Sequence, residues 1–317
     1  MSLRGCVLAV LIAACMTNGG IGPAGAQTSR LLATVDLPCA GSVLQQPASW
    51  YLPVSAPRGL VWLQHGFARD DANVAALAES LSDAGYLVFA PSLPFVNVSG
   101  CTLQNLGDNT QFLNGVAQLF ATAGDPGGPL ARSLATAAAR TGRTAPALPA
   151  QFVFVGHSAG AEAAEYVAYR LHTTAGWSGL RGLVLLDPVE SFLGDNTDRA
   201  LTDLDPTAVP VLTISGPPGL CNNFGSGTAA LQTRLHRSFV GVRLPSGEHT
   251  DAEGTSTDIL GQLACGIPQQ ANVTTLQHLT TGWTSDFFTG AHTAGLYPAA
   301  RSGVVAAAPG AQSLGGA

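Results

Sequence analysis

The chain has 317 residues, 46% of them hydrophobic and 11% charged, with a formal charge of −6 and a sequence pI of about 5.5. That length allows one large domain or two small ones, and the acidic balance does not suggest a nucleic-acid partner, whose usual footprint is a basic face. All 14 basic residues are Arg and Lys is absent, which excludes a lysine Schiff base and a Walker-type phosphate loop.

The N-terminus reads as an export signal. Arg4 precedes an apolar stretch, Cys6–Cys15, that is too short to span a bilayer. Two processing sites compete. Ala24-Gly25-Ala26 before Gln27 has the small-x-small pattern of signal cleavage, while Ile12–Cys15 has the form of a lipoprotein box with Cys15 as the lipidated residue. Cleavage after Ala26 is favoured because Cys15 falls early, giving a signal peptide over 1–26. Membrane association is expected only if Cys15 is lipidated. No later apolar run is long enough to span a membrane, so the mature chain is expected to be secreted or held at the cell surface.

Past the signal stand Cys39, Cys101, Cys221 and Cys265, an even count for an oxidising compartment. Cys39 with Cys101 and Cys221 with Cys265 are the expected pairs, because each staples neighbouring parts of the chain. A metal site is the rival, but no C-x-x-C or nearby His spacing supports one, and no metal is expected.

Short apolar runs alternate with longer helical patterns. Strands are predicted at Gly59–Gln64, Gly85–Ala90, Gln151–Gly156, Arg181–Leu186, Val209–Ser215 and Ser238–Leu244. Most are apolar throughout, as in strands covered on both faces. Helices are predicted over Asp71–Ala84, Asp108–Ala121 and Ala159–Leu171, and around Val273, Leu276, Trp283 and Phe287. This alternation predicts an α/β protein with a mostly parallel central sheet and helices on both faces. Residues 124–150, rich in Gly, Pro and Ala, read as an insertion over the sheet edge. The expected domain is 27–301, followed by a disordered small-residue tail at 302–317.

Phe152–Ala164 reads FVFVGHSAGAEAA. A strand feeds Ser158 and a small-residue helix begins at once, the context that the G-x-S-x-G nucleophile elbow requires. The strained turn leaves no room for side chains at Gly156 and Gly160, and Ala161, Ala163 and Ala164 let the helix pack close to the sheet. A serine hydroxyl needs a base, and the base an orienting carboxylate. Of seven histidines, His65 and His157 lie in strand-end turns and are read as backbone-shaping. His172, His236 and His278 sit in or beside helical stretches, and His292 lies after the last helix. His249 follows the final predicted strand, Ser238–Leu244, through a short turn, PSGEHTDAEG, and is the candidate base.

The acid is found by elimination. No Asp or Glu occurs from Pro206 to Gly247, so the stretch after Val209–Ser215 cannot supply it. The preceding strand ends LVLLDPVE, placing Asp187 at the sheet edge where ligands meet such folds, with Glu190 as the competing assignment. The order Ser158, Asp187, His249 is the one expected of α/β-type hydrolases. Two backbone donors are needed for the oxyanion: the N–H of Ala159 at the helix start, and that of Phe67 in the turn Gln64-His65-Gly66-Phe67-Ala68. GDNTDRALTDLDP carries four Asp residues that could bind calcium but lack the spacing of a known loop, so it reads as a solvated acidic connection. Asp251 is expected to cap the helix that follows.

At these residues the chain resembles the α/β-hydrolase superfamily over about Gly59 to Gly290, and most nearly its chlorophyllase-like and secreted esterase group. QHGF, VGHSAG, LLDPVE, the SGPPG…C loop and GEHTD carry the likeness. The resemblance implies the α/β-hydrolase fold and a triad of Ser158, Asp187 and His249. Cutinase-like polyester hydrolases are similar around the elbow, but they place their acid after the next strand and a Trp after the Asp-Pro, where Val189 stands here. The chlorophyllase elbow has GHSRGG, whereas Ala159 and Ala161 stand here.

The sequence therefore reads as an exported serine esterase that acts on small-molecule or polymeric esters through an acyl-enzyme, with no cofactor and no nucleic-acid partner. Few charged residues are available to hold an ionic group, so a neutral, moderately apolar substrate is expected. The alternatives are an acyltransferase with the same triad, a polyester or lipid-ester hydrolase, and a non-catalytic binding module; the intact triad argues against the last.

Overall fold

A computed structural model describes residues 29–317. The expected signal peptide, 1–26, and the candidate lipidation site Cys15 lie outside the described residues. In chain order the elements are β1 (Ser29–Cys39), β2 (Ser42–Leu52), β3 (Leu60–Gln64), α1 (Ala75–Asp83), β4 (Leu87–Pro91), α2 (Thr110–Ala121), α3 (Pro129–Arg140), β5 (Phe152–His157) and α4 (Ala159–Leu171). There follow β6 (Leu180–Leu186), α5 (Asn196–Leu204), β7 (Val211–Ser215), α6 (Ser226–Arg234), β8 (Gly241–Arg243), α7 (Ile259–Cys265), α8 (Gln270–Thr289) and β9 (Gln312–Leu314). No described helix is long and apolar enough to cross a membrane.

The strands form one sheet in the order β1-β2-β4-β3-β5-β6-β7-β8-β9. The six from β4 to β8 in that order run parallel, and β1, β2 and β9 join antiparallel at the edges. The central strands are buried on both faces because their side chains alternate between two cores. Trp62, Phe154 and Leu185 meet α2, α3 and α4 on one side. Leu63, Val155 and Val184 meet Leu77 and Leu81 of α1 and Leu276 and Trp283 of α8 on the other.

All six predicted strands are present with ends shifted by a few residues. Strands β1, β2 and β9 were not expected from the sequence. β1 and the first half of β2 are solvated on one face, so polar residues interrupt them, and β1 alternates buried and exposed positions along its length. The 124–150 segment contains α3, which packs on the edge strands β1 and β2: Arg140 Nη1 donates to Leu32 O of β1 at 3.2 Å, and Trp50 Nε1 of β2 to Ser133 Oγ at 3.0 Å.

The expected disordered tail at 302–317 is corrected by the structure, and the domain extends past 301. β9 pairs with β8, with Leu314 opposite Gly241, and the Leu314 side chain is buried, as are Val305 and Ala308. Gly316 N and Ala317 N bond Arg237 O and Leu235 O at 2.8 and 3.0 Å. Small residues suit this segment because it lies close against the end of the sheet. Burying one Leu is worth about 2 kcal/mol, and ~1 kcal/mol moves the midpoint of a domain this size by roughly 2–4 °C. Deleting residues 310–317 is therefore expected to lower the thermal midpoint by at least ~4 °C, measured by scanning calorimetry; an unattached tail would leave it unchanged.

Candidate active site

β5 runs apolar and buried to His157, and α4 starts at Ala159. Ser158 between them has φ 57° and ψ −125°, a region that non-glycine residues rarely occupy. The conformation is held by its neighbours: Ser158 N donates to Leu186 O at 3.0 Å, and Ser158 O accepts from Ala161 N at 3.0 Å and Val189 N at 3.3 Å. A Cβ at Gly156 would lie 2.3 Å from Gly160 O, and one at Gly160 would lie 2.4 Å from His65 O. The two glycines thus let the start of α4 sit directly against the ends of β5 and β3. The β3 turn closes on the serine itself, since a Cβ on Gly66 would stand 2.8 Å from Ser158 Cβ.

Asp187 ends β6 with φ 41° and is 5% exposed. Its Oδ2 lies 2.6 Å from His249 Nδ1. Its Oδ1 accepts from Gly216 N at 2.9 Å and Asn222 Nδ2 at 3.1 Å. Burial opposes the charge, but the His249 contact and these two donors outweigh it and hold the carboxyl below the usual Asp value. The structure therefore brings Asp187 and His249 together. Glu190 stands apart: it is half-buried, burial raises its carboxyl, and its backbone N–H bonds Ser226 Oγ at 3.1 Å.

His249 opens a short 3₁₀ turn, His249–Ala252. Its carbonyl accepts from His157 Nε2 at 2.9 Å, so the residue before the serine also locates the imidazole segment. Burial, and next the neighbouring His249, push His157 down to about 4, which leaves it neutral with the proton on Nε2. Arg69 adds a second tie. Its guanidinium pairs both oxygens of buried Glu253 at 2.7 and 2.5 Å, linking the turn after β3 to the turn after His249.

Ser158 opens on a cleft of about 390 Å³ lined by Phe67, Leu106, Val189, Phe192, Leu193 and Leu220 among others. Phe67 sits edge-on to Phe95, with ring centroids 5.4 Å apart. Ala159 also lines the cleft, so both residues expected to supply oxyanion donors border the serine. His249 borders an adjoining hollow that shares the Leu220–Cys221 wall. Cys221 is bonded to Cys265 and Cys39 to Cys101. The first bridge ties the loop carrying Asn222 to the end of α7, and the second holds the loop that leads to Leu106. A larger cavity of about 920 Å³ opens at the start of β6, β7 and β8, at the opposite edge of the sheet. It holds none of the Ser158, Asp187 and His249 group.

Asn222 and Gly216 N were not anticipated. Their loop, SGPPGLCNN, has no carboxylate, and it contributes donors to an acid from another strand. Asp251 caps locally: Oδ2 accepts from Glu248 N at 2.8 Å and from Asn272 Nδ2 at 3.0 Å, and Oδ1 from Gln269 N at 2.7 Å just before α8. The Asp-rich segment is mostly α5, and its carboxylates meet bases: Asp195 with Arg199, Asp198 with Arg234, Asp203 with His172, Asp205 with His236. Among the described residues no group of three or more His, Cys, Asp or Glu could hold a metal.

The chain matches no protein-family model and no curated protein. Among solved structures it is similar to a candidate dienelactone hydrolase from Klebsiella pneumoniae subsp. pneumoniae MGH 78578, at 14% identity and a TM-score of 0.50 over 81% of this chain and 99% of that one. It also aligns with a dienelactone hydrolase from Anabaena variabilis ATCC 29413 (17% identity, TM-score 0.48, 81% and 97% covered). An esterase from Pyrobaculum calidifontis aligns at 12% identity and a TM-score of 0.49, with 82% and 85% covered. The sheet order and the likeness to the first of these establish the α/β-hydrolase fold.

The buried histidines carry a pH dependence. His157 falls from its ordinary 6.5 to about 4, and burial lowers His65 in the same direction. As pH drops, the unfolded chain takes up these protons first. The stability they contribute is complete above 6.5 and is lost as pH falls toward about 4. His157→Gln, whose amide can reach the Nε2 position and so keeps a donor for His249 O, is expected to reduce the loss of stability across that window by up to roughly 3 kcal/mol, read from urea melts at several pH values. An unchanged slope would mean that His157 is not the group titrating.

Proposed function

We propose that the protein is a serine hydrolase of carboxylic esters, with Ser158 as nucleophile, His249 as base and Asp187 as the orienting acid. The 2.6 Å contact between buried Asp187 and His249 carries this reading, because it fixes the imidazole tautomer with Nδ1 as donor and leaves Nε2 to accept a proton. Ser158 Oγ attacks the ester carbonyl carbon and its proton passes to His249 Nε2. The carbonyl oxygen becomes an oxyanion, for which the N–H groups of Phe67 and Ala159 are the assigned donors. Collapse expels the alcohol, which takes the proton back from His249. Water then attacks the acyl-enzyme with His249 again as base, releasing the acid and free Ser158. No step requires a metal or an organic cofactor.

The cleft wall supports a neutral, apolar acyl group. Leu106, Phe192, Leu193 and Leu220 all stand at least half exposed beside Ser158, and none of the cleft-lining residues is charged. Export is supported by the two disulfides and the N-terminal sequence. An acid after β6 with none after β7 favours the chlorophyllase-like and secreted esterase arrangement over the cutinase-like one.

Ser158→Ala is expected to lower kcat/KM on a short-chain p-nitrophenyl ester by at least ~10³-fold, with an unchanged circular dichroism spectrum. Asp187→Asn should cost roughly 10³–10⁴-fold and Glu190→Gln only a few-fold. Retained activity in the serine variant, or the reverse ranking of the acids, would overturn the assignment. Product analysis with an added alcohol separates hydrolysis from acyl transfer.

A further inference from the structure

One turn into α4 beyond Ser158 lies Glu162, a carboxylate that none of the chemistry above uses and that is 2% exposed. Glu162 Oε2 accepts both the backbone N–H of Ser191, at 2.8 Å, and its hydroxyl, at 2.5 Å. Ser191 Oγ in turn accepts from Asn105 N at 3.0 Å. Ser191 and Asn105 lie on the two loops that face each other across the cleft: Val189, Phe192 and Leu193 belong to one, Gln104, Asn105 and Leu106 to the other. A single carboxyl oxygen on the nucleophile's own helix is therefore linked to both walls.

Leu103, Asn105 and Val189 root those walls in the interior, but the tips that face the cleft gain little from packing. Phe192 is 79% exposed, and Leu193 and Leu106 are each 52% exposed. Side chains so exposed do not fix the backbone that carries them, so the buried anchor beneath sets their spacing. Burial raises the Glu162 carboxyl to about 7 against the pull of the two Ser191 bonds, and the nearby Glu190 charge adds to the rise. Beneath it Glu165 is fully buried and pushed well up by that burial, both its oxygens lacking a partner among the described residues. A buried acid is costly to keep. Here the gain is a fixed distance between Ser158 and the two loops.

Resting on the esterase reading above, we propose that Glu162 is the positioning residue of the acyl cleft, holding both walls through Ser191 so that the site takes an acyl chain longer than acetyl.

The test compares wild type with Glu162→Ala, Glu162→Gln and Ser191→Ala on p-nitrophenyl acetate and hexanoate at pH 8. The two alanine variants are expected to raise KM for hexanoate about tenfold or more, in keeping with the loss of hydrogen bonds to a charged group, with kcat little changed. Acetate, too short to reach the wall tips, should be affected several-fold less than hexanoate in KM. Glu162→Gln, whose amide can still bond Ser191 N and Oγ, should restore hexanoate KM to within a few-fold of wild type. Hydrogen exchange gives a second readout that needs no activity: amides 104–106 and 190–193 should lose protection in the alanine variants while the strands keep theirs. Equal losses on both esters, a fall in kcat at constant KM, or unchanged exchange at the two loops would each overturn the proposal. Inactive wild type with the expected exchange pattern would instead sink the esterase reading and leave the anchoring role of Glu162 standing.

Discussion

A carboxylate as buried as Asp187 keeps its charge only if hydrogen bonds replace the water it has lost. Three donors do so, and each arrives from a different part of the chain. Gly216 N comes from the end of β7, Asn222 from the loop beyond it, and His249 from the turn after β8. Meeting at one side chain fixes the relative position of three segments at the carboxyl edge of the sheet. Removing any of them would leave a buried charge short of a partner, so electrostatics makes the edge cooperative.

The sheet supplies the frame for that convergence. Parallel neighbours β3, β5, β6 and β7 end together, so His65, Ser158, Asp187 and Gly216 leave the sheet side by side. Close backbone approach does the rest. The glycines at 66, 156 and 160 allow turn, strand and helix to touch where a Cβ would collide. The strained φ of Ser158 and Asp187 is tolerated because the surrounding backbone bonds leave those residues no alternative. Arg69 and Glu253, and the Cys221–Cys265 bridge, then tie the outer loops to the same edge.

The cleft follows a different principle. Its floor at Ser158 is hydrogen-bonded and polar, whereas the tips of its walls are apolar and exposed. Beneath those tips, hydrogen bonds join both loops to Glu162 through Ser191. A buried acidic residue one turn from Ser158 is costly as core packing, and the proposed anchoring of two loops with exposed tips gives it a use.

Much of this architecture was written in local pattern. Runs such as LVWL and FVFVG are apolar throughout because both faces of a central strand are covered, and their alternation with helical patterns places them in a mostly parallel sheet. The spacing of Gly156, Ser158 and Gly160 reports a sharp turn, and the lack of any acid between Pro206 and Gly247 points to Asp187. Other features were illegible. The antiparallel edges β1 and β2 carry Ser, Thr, Gln and Pro on their solvated face, which dilutes the signal, and β9 is three residues long. The tail looked disordered because small residues also suit a segment pressed close against a sheet. Asn222 and Ser191 act on carboxylates 35 and 29 residues away, and no local spacing encodes such a meeting. The sequence by itself determined which segments are strands, where the chain turns sharply and which residue types stand there, since these depend on neighbours within a few positions. Only the tertiary structure decided which donors reach Asp187 and that Ser191 meets Glu162, because hydrogen-bond partners are chosen by distance in space after the sheet has closed.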